Sequence, residues 1–204
     1  MSSICIIDYG KGNLRSVLNA IEALGSPASV ITRPDELRGH SHAILPGVGA
    51  FSQAMTALRQ DGWVEALNRH AMEEKKPFLG ICLGMQLIAE RGMEHGEQEG
   101  LGWIKGTVSR LQGGQDVRIP HIGWNDVEIT GKPLLYDGME TGGDFYFVHS
   151  YALRPDDEGC VTGWCDHGGR FVASIQSGNI HATQFHPEKS QKAGLHILKN
   201  FIRC

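Results

Sequence analysis

Cysteine is scarce in this chain, with five residues in 204: Cys5, Cys82, Cys160, Cys165 and Cys204. An odd count at wide spacings does not make a disulfide framework and suits a reducing compartment. Runs of one charge are also missing. Nineteen Lys and Arg stand against twenty-three Asp and Glu, a formal net charge of −4. Without a basic patch, neither nucleic acid nor an anionic membrane is an expected partner. No apolar run approaches the length of a membrane span, and "MSSICIIDYG" lacks the basic start and long apolar core of a secretory signal. A cytoplasmic location is therefore expected. No linker, low-complexity segment or internal repeat interrupts the chain, so its length suits one domain over residues 1–204.

What is present alternates in the first half. "SICIIDYG" and "FLGI" are short apolar runs, as buried strands are, and "ASVITRP" and "HAILPGVGAF" read as two further strands closed by turn residues. "NLRSVLNAIEALG" and "WVEALNRHAMEEKKP" between them carry helical spacing, the first stopped by Gly25 and the second by Pro77. This pattern predicts an α/β fold, a mainly parallel sheet with helices on both faces. After about residue 105 the texture changes. "GTVSRL", "WNDVEI", "DFYFVHSYAL", "CVTGWC", "FVASIQ" and "IHATQFHP" are short strands between glycine-rich turns, which suggest added antiparallel strands before a closing helix, "SQKAGLHILKNFIRC".

The sharpest local signal is "GICLG". Gly80 and Gly84 flank Cys82 where a strand gives way to a helix at about Leu83, in the form G-x-C-x-G of a nucleophile elbow. A buried cysteine can be only a small hydrophobe, but the glycines would clear space for a tight turn that exposes a sulfur. The amide of Leu83 would then serve as one oxyanion donor. A thiol nucleophile needs a base and an orienter. "ATQFHPEKS" offers His186 at a strand tip and Glu188 two residues on, across Pro187; a plain surface turn is the other reading. A zinc site from His181 and His186 lacks a third ligand at a recognisable spacing. "ILPGVGAF" supplies Gly47 and Gly49 after a parallel strand, where the amide of Val48 or Gly49 could complete an oxyanion hole. The glycines of "DYGKGNL" lack the remaining residues of a dinucleotide or P-loop motif.

Together "PGVGAF", "GICLGMQL" and "QFHPEKS", in that order, resemble the triad (class I) glutamine amidotransferases. "CIIDYGKGNLRSV", "PHIGWNDV" and "YFVHSYA" narrow the resemblance to the glutaminase subunits of imidazole glycerol phosphate synthases. It runs from about residue 4 to residue 203. The resemblance implies a flavodoxin-like three-layer sandwich with added antiparallel strands, and no cofactor or metal. It implies a triad of Cys82, His186 and Glu188 that hydrolyses glutamine through a γ-glutamyl thioester. Gln86, Glu94 and Gly49 match glutamine contacts, and His149, Ser150 and Tyr151 match largely main-chain ones. The implied partner is a (β/α)8-barrel cyclase in a heterodimer, which turns the ammonia into imidazole glycerol phosphate and an aminoimidazole carboxamide ribotide. Asn13, Trp124, Tyr146 and Lys189 match positions at that interface or the active-site mouth. "AERGMEHGE" around Glu94 is less acidic than the family pattern, and there a solvated charge just past a helix is the other reading. A stand-alone cysteine hydrolase, a catalytically retired interaction subunit and a triad amidotransferase serving another synthase remain alternatives.

Overall fold

Ile4–Ile7 forms the first strand, β1, with all four side chains buried. A strand buried on both faces needs cover on both sides. The structure, a computed structural model, describes residues 3–113, 117–139 and 141–204. After β1 come α1 (Leu14–Ala23), β2 (Ala28–Ile31), β3 (His42–Gly47), α2 (Phe51–Gln60) and α3 (Trp63–Asn68). Then follow β4 (Phe78–Cys82), α4 (Leu83–Leu87), β5 (Ala89–Gly92), β6 (Gln98–Glu99), β7 (Ile104–Arg110) and β8 (His121–Ile129). The chain closes with β9 (Gly143–His149), β10 (Tyr151–Pro155), β11 (Val161–Asp166), β12 (Arg170–Ser177), β13 (Ile180–Thr183) and α5 (Gln191–Ile202).

Nine strands make one sheet in the order β2-β1-β3-β4-β13-β12-β11-β8-β9. The first five of these run parallel to one another, and the last four add antiparallel. Val17 and Ile21 of α1 and Ile197, Leu198 and Phe201 of α5 pack on one face. Phe51, Met55 and Leu58 of α2 and Trp63 and Leu67 of α3 pack on the other, with Ile104, Val108 and Leu153 of a second sheet, β10-β7-β5-β6. The α/β three-layer arrangement read from the sequence is present.

Four details differ from the sequence reading. The strand in "IHATQFHP" stops at Thr183, and it joins the parallel core, paired with β4 from Ile180↔Phe78 to Thr183↔Ile81. Its wholly buried run is that of a central strand. "DFYFVHSYAL" is two strands, because the chain leaves the large sheet after His149 and enters the second sheet at Tyr151. The apolar alternation runs through both pieces, so periodicity carries no mark of that change of partner. The helix after Cys82 is only five residues long and gives way to β5 and β6, short strands in a polar stretch. Finally, "HAILPGVGAF" is strand only to Gly47, and Phe51 already begins α2.

The core also holds histidines. Burial pushes the imidazoles of His70, His121 and His181 down to about 4 and that of His149 to about 3. An unfolded chain takes up these protons near pH 6.5, well before the folded one. The stability they carry is therefore complete above pH ~6.5 and is lost as pH falls towards 4. Urea midpoints should fall steeply over that interval; a flat profile would show that these rings do not stay neutral.

Candidate active site

Cys82 is the last residue of β4 and the residue before α4, with φ 55° and ψ −106°. That backbone conformation is costly for any residue with a Cβ, about 1–3 kcal/mol, and such outliers cluster at functional sites. The flanking glycines explain how the turn closes. A Cβ on Gly80 would lie 2.7 Å from the Gly84 carbonyl oxygen, and one on Gly84 would collide with the carbonyl oxygen of Leu45 on β3. α4 can sit on the strands only if both lack side chains. Cys82→Gly should accordingly be more stable than Cys82→Ala by about 1 kcal/mol in denaturant unfolding, because glycine relieves the strain. Equal stabilities would show that the turn is unstrained.

β13 lies beside β4, which brings the segment after it, Gln184 to His186, to the elbow. Gln184 Nε2 lies 3.7 Å from Cys82 Sγ, and the thiol points to Val148 O at 3.9 Å. His186 and Glu188 are both buried, their side chains 3% and 2% exposed. The imidazole Nδ1 donates to Glu188 Oε1 at 2.8 Å. Its backbone is clamped as well: His186 N donates to Tyr146 O at 2.9 Å, and Ser190 Oγ donates to His186 O at 2.6 Å. Burial alone would lower the proton affinity of this imidazole. The charge of the adjacent Cys82 sulfur and the bonded Glu188 carboxylate overcome that and raise it to about 10. Nε2 has no partner within hydrogen-bonding distance. One ring nitrogen is held by a carboxylate and the other is free for proton transfer beside a thiol.

The elbow opens into a cavity of about 290 Å³ lined by Val48, Gly49, Cys82, Leu83, Gln86, Glu94, Pro120, Val148, His149, Ser150 and Tyr151. All the residues matched to oxyanion and glutamine contacts therefore meet in one place. Ser150 and Tyr151 stand where the chain crosses between sheets. Gln86 Nε2 donates to Tyr151 O at 2.8 Å and to Gln184 Oε1 at 3.1 Å. Glu94 is half-buried rather than solvated, and its Oε2 accepts from Phe51 N at 2.8 Å. Among the described residues its carboxylate is the one acidic group lining the cavity. Sequence reasoning missed Gln184, Pro120 and Val148. Gln184 lay inside the quoted "QFHPEKS", but nothing in its spacing signalled the contact with the thiol. A larger cavity, about 400 Å³, lies along β10 and β12 and is lined by Arg154, Trp164, His167 and Arg170. It holds none of the triad.

The residues matched to an interface also cluster. Trp124 on β8 and Tyr146 on β9 are register partners with ring centroids 6.1 Å apart, and Lys189 Nζ lies 5.7 Å from the Tyr146 ring centre. Asn13 is exposed at the start of α1, a helix that packs against the turn carrying Lys189. Trp124 is 47% exposed, and beside it Ile122, missed in the sequence, is 60% exposed. Ile122 pairs with Val148, which lines the cavity, so this apolar face reaches the active-site mouth. Exposed aromatic and apolar groups grouped in this way mark an interaction surface rather than a core. Among the described residues no helix is long and apolar enough to cross a membrane.

Residues 5–204 match the family model for glutamine amidotransferase class-I. The chain is 48% identical over 200 residues to imidazole glycerol phosphate synthase subunit HisH 1 of Campylobacter jejuni (strain RM1221), covering 98% of this chain and 99% of that one. It is 49% identical over 199 residues to the subunit HisH of Aquifex aeolicus (strain VF5), covering 97% and 95%. The fold is similar to the structure of PurLQS from Thermotoga maritima, with a TM-score of 0.77 and 22% identity over 100% of this chain and 99% of that chain. The chain belongs to the class-I glutamine amidotransferases and, within them, to the family of imidazole glycerol phosphate synthase HisH subunits.

Proposed function

We propose that residues 1–204 work as one glutamine amidotransferase domain in a cytoplasm, and that Cys82, His186 and Glu188 carry the chemistry. The observation that carries this reading is the Glu188–His186 pair set beside an elbow cysteine at the mouth of a cavity sized for an amino acid. Glutamine enters with its ammonium towards Glu94 and its side-chain amide towards Cys82. Gln86 and the main chain of His149, Ser150 and Tyr151 hold it. With the proton of the Cys82 thiol taken up by His186 Nε2, the sulfur attacks the amide carbon, and the amides of Leu83 and of Val48 or Gly49 stabilise the oxyanion. The C–N bond then breaks as His186 gives its proton from Nε2 to the departing nitrogen. Ammonia leaves and a γ-glutamyl thioester remains on Cys82. Water, deprotonated by His186, attacks the thioester; the C–S bond breaks, glutamate leaves and the proton taken from water restores the Cys82–His186 pair.

The ammonia serves a (β/α)8-barrel cyclase bound as a heterodimer over Asn13, Trp124, Tyr146 and Lys189, which forms imidazole glycerol phosphate. The apolar face that runs from Trp124 to the cavity mouth supports this placement. The turn at Gly47–Gly49 rotates to complete the oxyanion hole only when the partner is engaged, so glutamine is not wasted. Glutamate release by the chain alone and with the cyclase and its nucleotide substrate tests the reading. Strong stimulation by the partner is expected, and full activity without it contradicts the gating. Trp124→Ala should weaken the partner's apparent affinity by roughly 30-fold or more, as loss of a central aromatic anchor does. An unchanged titration would move the interface elsewhere.

A further inference from the structure

A line of hydrogen-bonded rings lies behind the glutamine cavity. His121 on β8 and His149 on β9 are direct register partners, and both are buried. Their hydrogen bonds can be read in only one direction. His149 Nδ1 lies 2.9 Å from Tyr151 O; a carbonyl only accepts, so Nδ1 carries the proton. Burial keeps the ring neutral, with its proton affinity at about 3, so His149 Nε2 is bare. It must accept from His121 Nδ1 at 3.1 Å. His121 is likewise neutral, held at about 4 by burial and then by His167, so its own Nε2 is bare and accepts from Asn125 Nδ2 at 3.3 Å. Asn125 Nδ2 has its second hydrogen on Asp166 O at 2.8 Å, and Asn125 Oδ1 accepts from Asp126 N at 2.9 Å. Every donor meets an acceptor from the hairpin after β11 to the carbonyl of Tyr151.

We infer that His121 is a positioning residue for the glutamine site: by donating to His149 Nε2 it holds that ring in the rotation at which Nδ1–H reaches the Tyr151 carbonyl, which keeps the main chain around Ser150 in the form that receives glutamine. The inference rests on reading the cavity as the glutamine site. The same carbonyl accepts from Gln86 Nε2, so two cavity residues share one anchor. If His121 stopped donating, His149 Nε2 would be a buried acceptor without a partner, which costs ~1–3 kcal/mol. The ring could avoid that only by turning Nε2 towards water in the cavity. Nδ1–H would then leave the Tyr151 carbonyl, and the segment would shift. No catalytic atom is touched, so the loss falls on binding rather than on chemistry.

The test uses ¹⁵N-histidine-labelled protein, whose ring nitrogen shifts report tautomers directly, together with glutaminase kinetics of the chain assembled with the cyclase. In the unmodified protein His149 and His121 should both carry their proton on Nδ1; a proton on Nε2 of either ring overturns the inference with no variant needed. His121→Phe keeps a ring against Phe147 and His167 but removes the donor. It should shift the His149 Nε2 resonance, whose hydrogen bond is lost, and raise KM for glutamine roughly tenfold with kcat little changed. His121→Asn places an amide N–H near the position of Nδ1 and should return both the Nε2 shift and KM most of the way. A Phe variant with native Nε2 shift and KM, or an Asn variant no better than Phe, would falsify the role. Absence of glutamine hydrolysis in the unmodified assembly would fail the glutamine-site reading, while the nitrogen shifts still decide the chain of rings.

Discussion

Cys82→Ser should lower glutamate release by on the order of 10⁴–10⁶-fold while leaving the melting curve nearly unchanged. Serine matches cysteine in shape, and the elbow around residue 82 is set by Gly80 and Gly84 rather than by sulfur. The two glycines keep the strand, the turn and α4 in register whichever atom stands at the tip. What serine lacks is nucleophilicity without a strong base: a hydroxyl must lose its proton as it attacks, and the geometry here is built for a larger, more polarisable atom. Retention of more than a few per cent of activity would mean that another group attacks glutamine. A collapse in stability would mean that the thiol is structural, the reading in which a buried cysteine is only a small hydrophobe.

Glu188→Gln should cost less in rate, roughly 10²–10⁴-fold in kcat, and it should change the pH profile in a stated direction. With the Cys82 sulfur beside it and the carboxylate in place, His186 keeps its proton until about pH 10. The sign follows from the raised value: the imidazolium and the stability it carries are complete below pH ~6.5 and are lost as pH rises through about 10. Departure of ammonia needs that proton, so the alkaline limb of kcat/KM should lie near the upper end of this window. The amide of glutamine offers no negative charge to the ring. The alkaline limb of Glu188→Gln must therefore move to lower pH, and the extra stability between pH 6.5 and 10 must shrink with it. A limb that stays in place would assign the limb to a group other than His186. Glu188→Asp, a shorter carboxylate, should fall between the two.

The parallel half of the fold was legible because each buried strand is a short, wholly apolar run with a turn residue at its end. β1, β3 and β4 stand where "SICIIDYG", "HAILPGVGAF" and "FLGI" predict. The elbow was legible for a related reason: two glycines around one cysteine have a steric purpose that can be stated without coordinates. The crossing at Ser150 was not legible. Strand periodicity records which side chains face inward and not which neighbour the backbone bonds, so two strands in different sheets read as one. The link from Gln86 to Gln184, 98 residues apart, escaped for the same reason, as did the ring contact between His121 and His149. Glu94 sits in an irregular, polar stretch with no periodicity to place it. Only the fold shows that it lines the cavity, where it accepts a bond from Phe51, 43 residues away.

The central claim is that Cys82 forms a covalent bond with the γ-carbonyl carbon of glutamine. The most direct measurement is an acid quench of the cyclase-bound chain during turnover, followed by peptide mass spectrometry. The account predicts a γ-glutamyl adduct on the peptide "KPFLGICLGMQL", absent in Cys82→Ser and lost from the unmodified protein once glutamine is exhausted. Turnover with no adduct on that peptide, or with the adduct on Cys5, Cys160, Cys165 or Cys204, would contradict it.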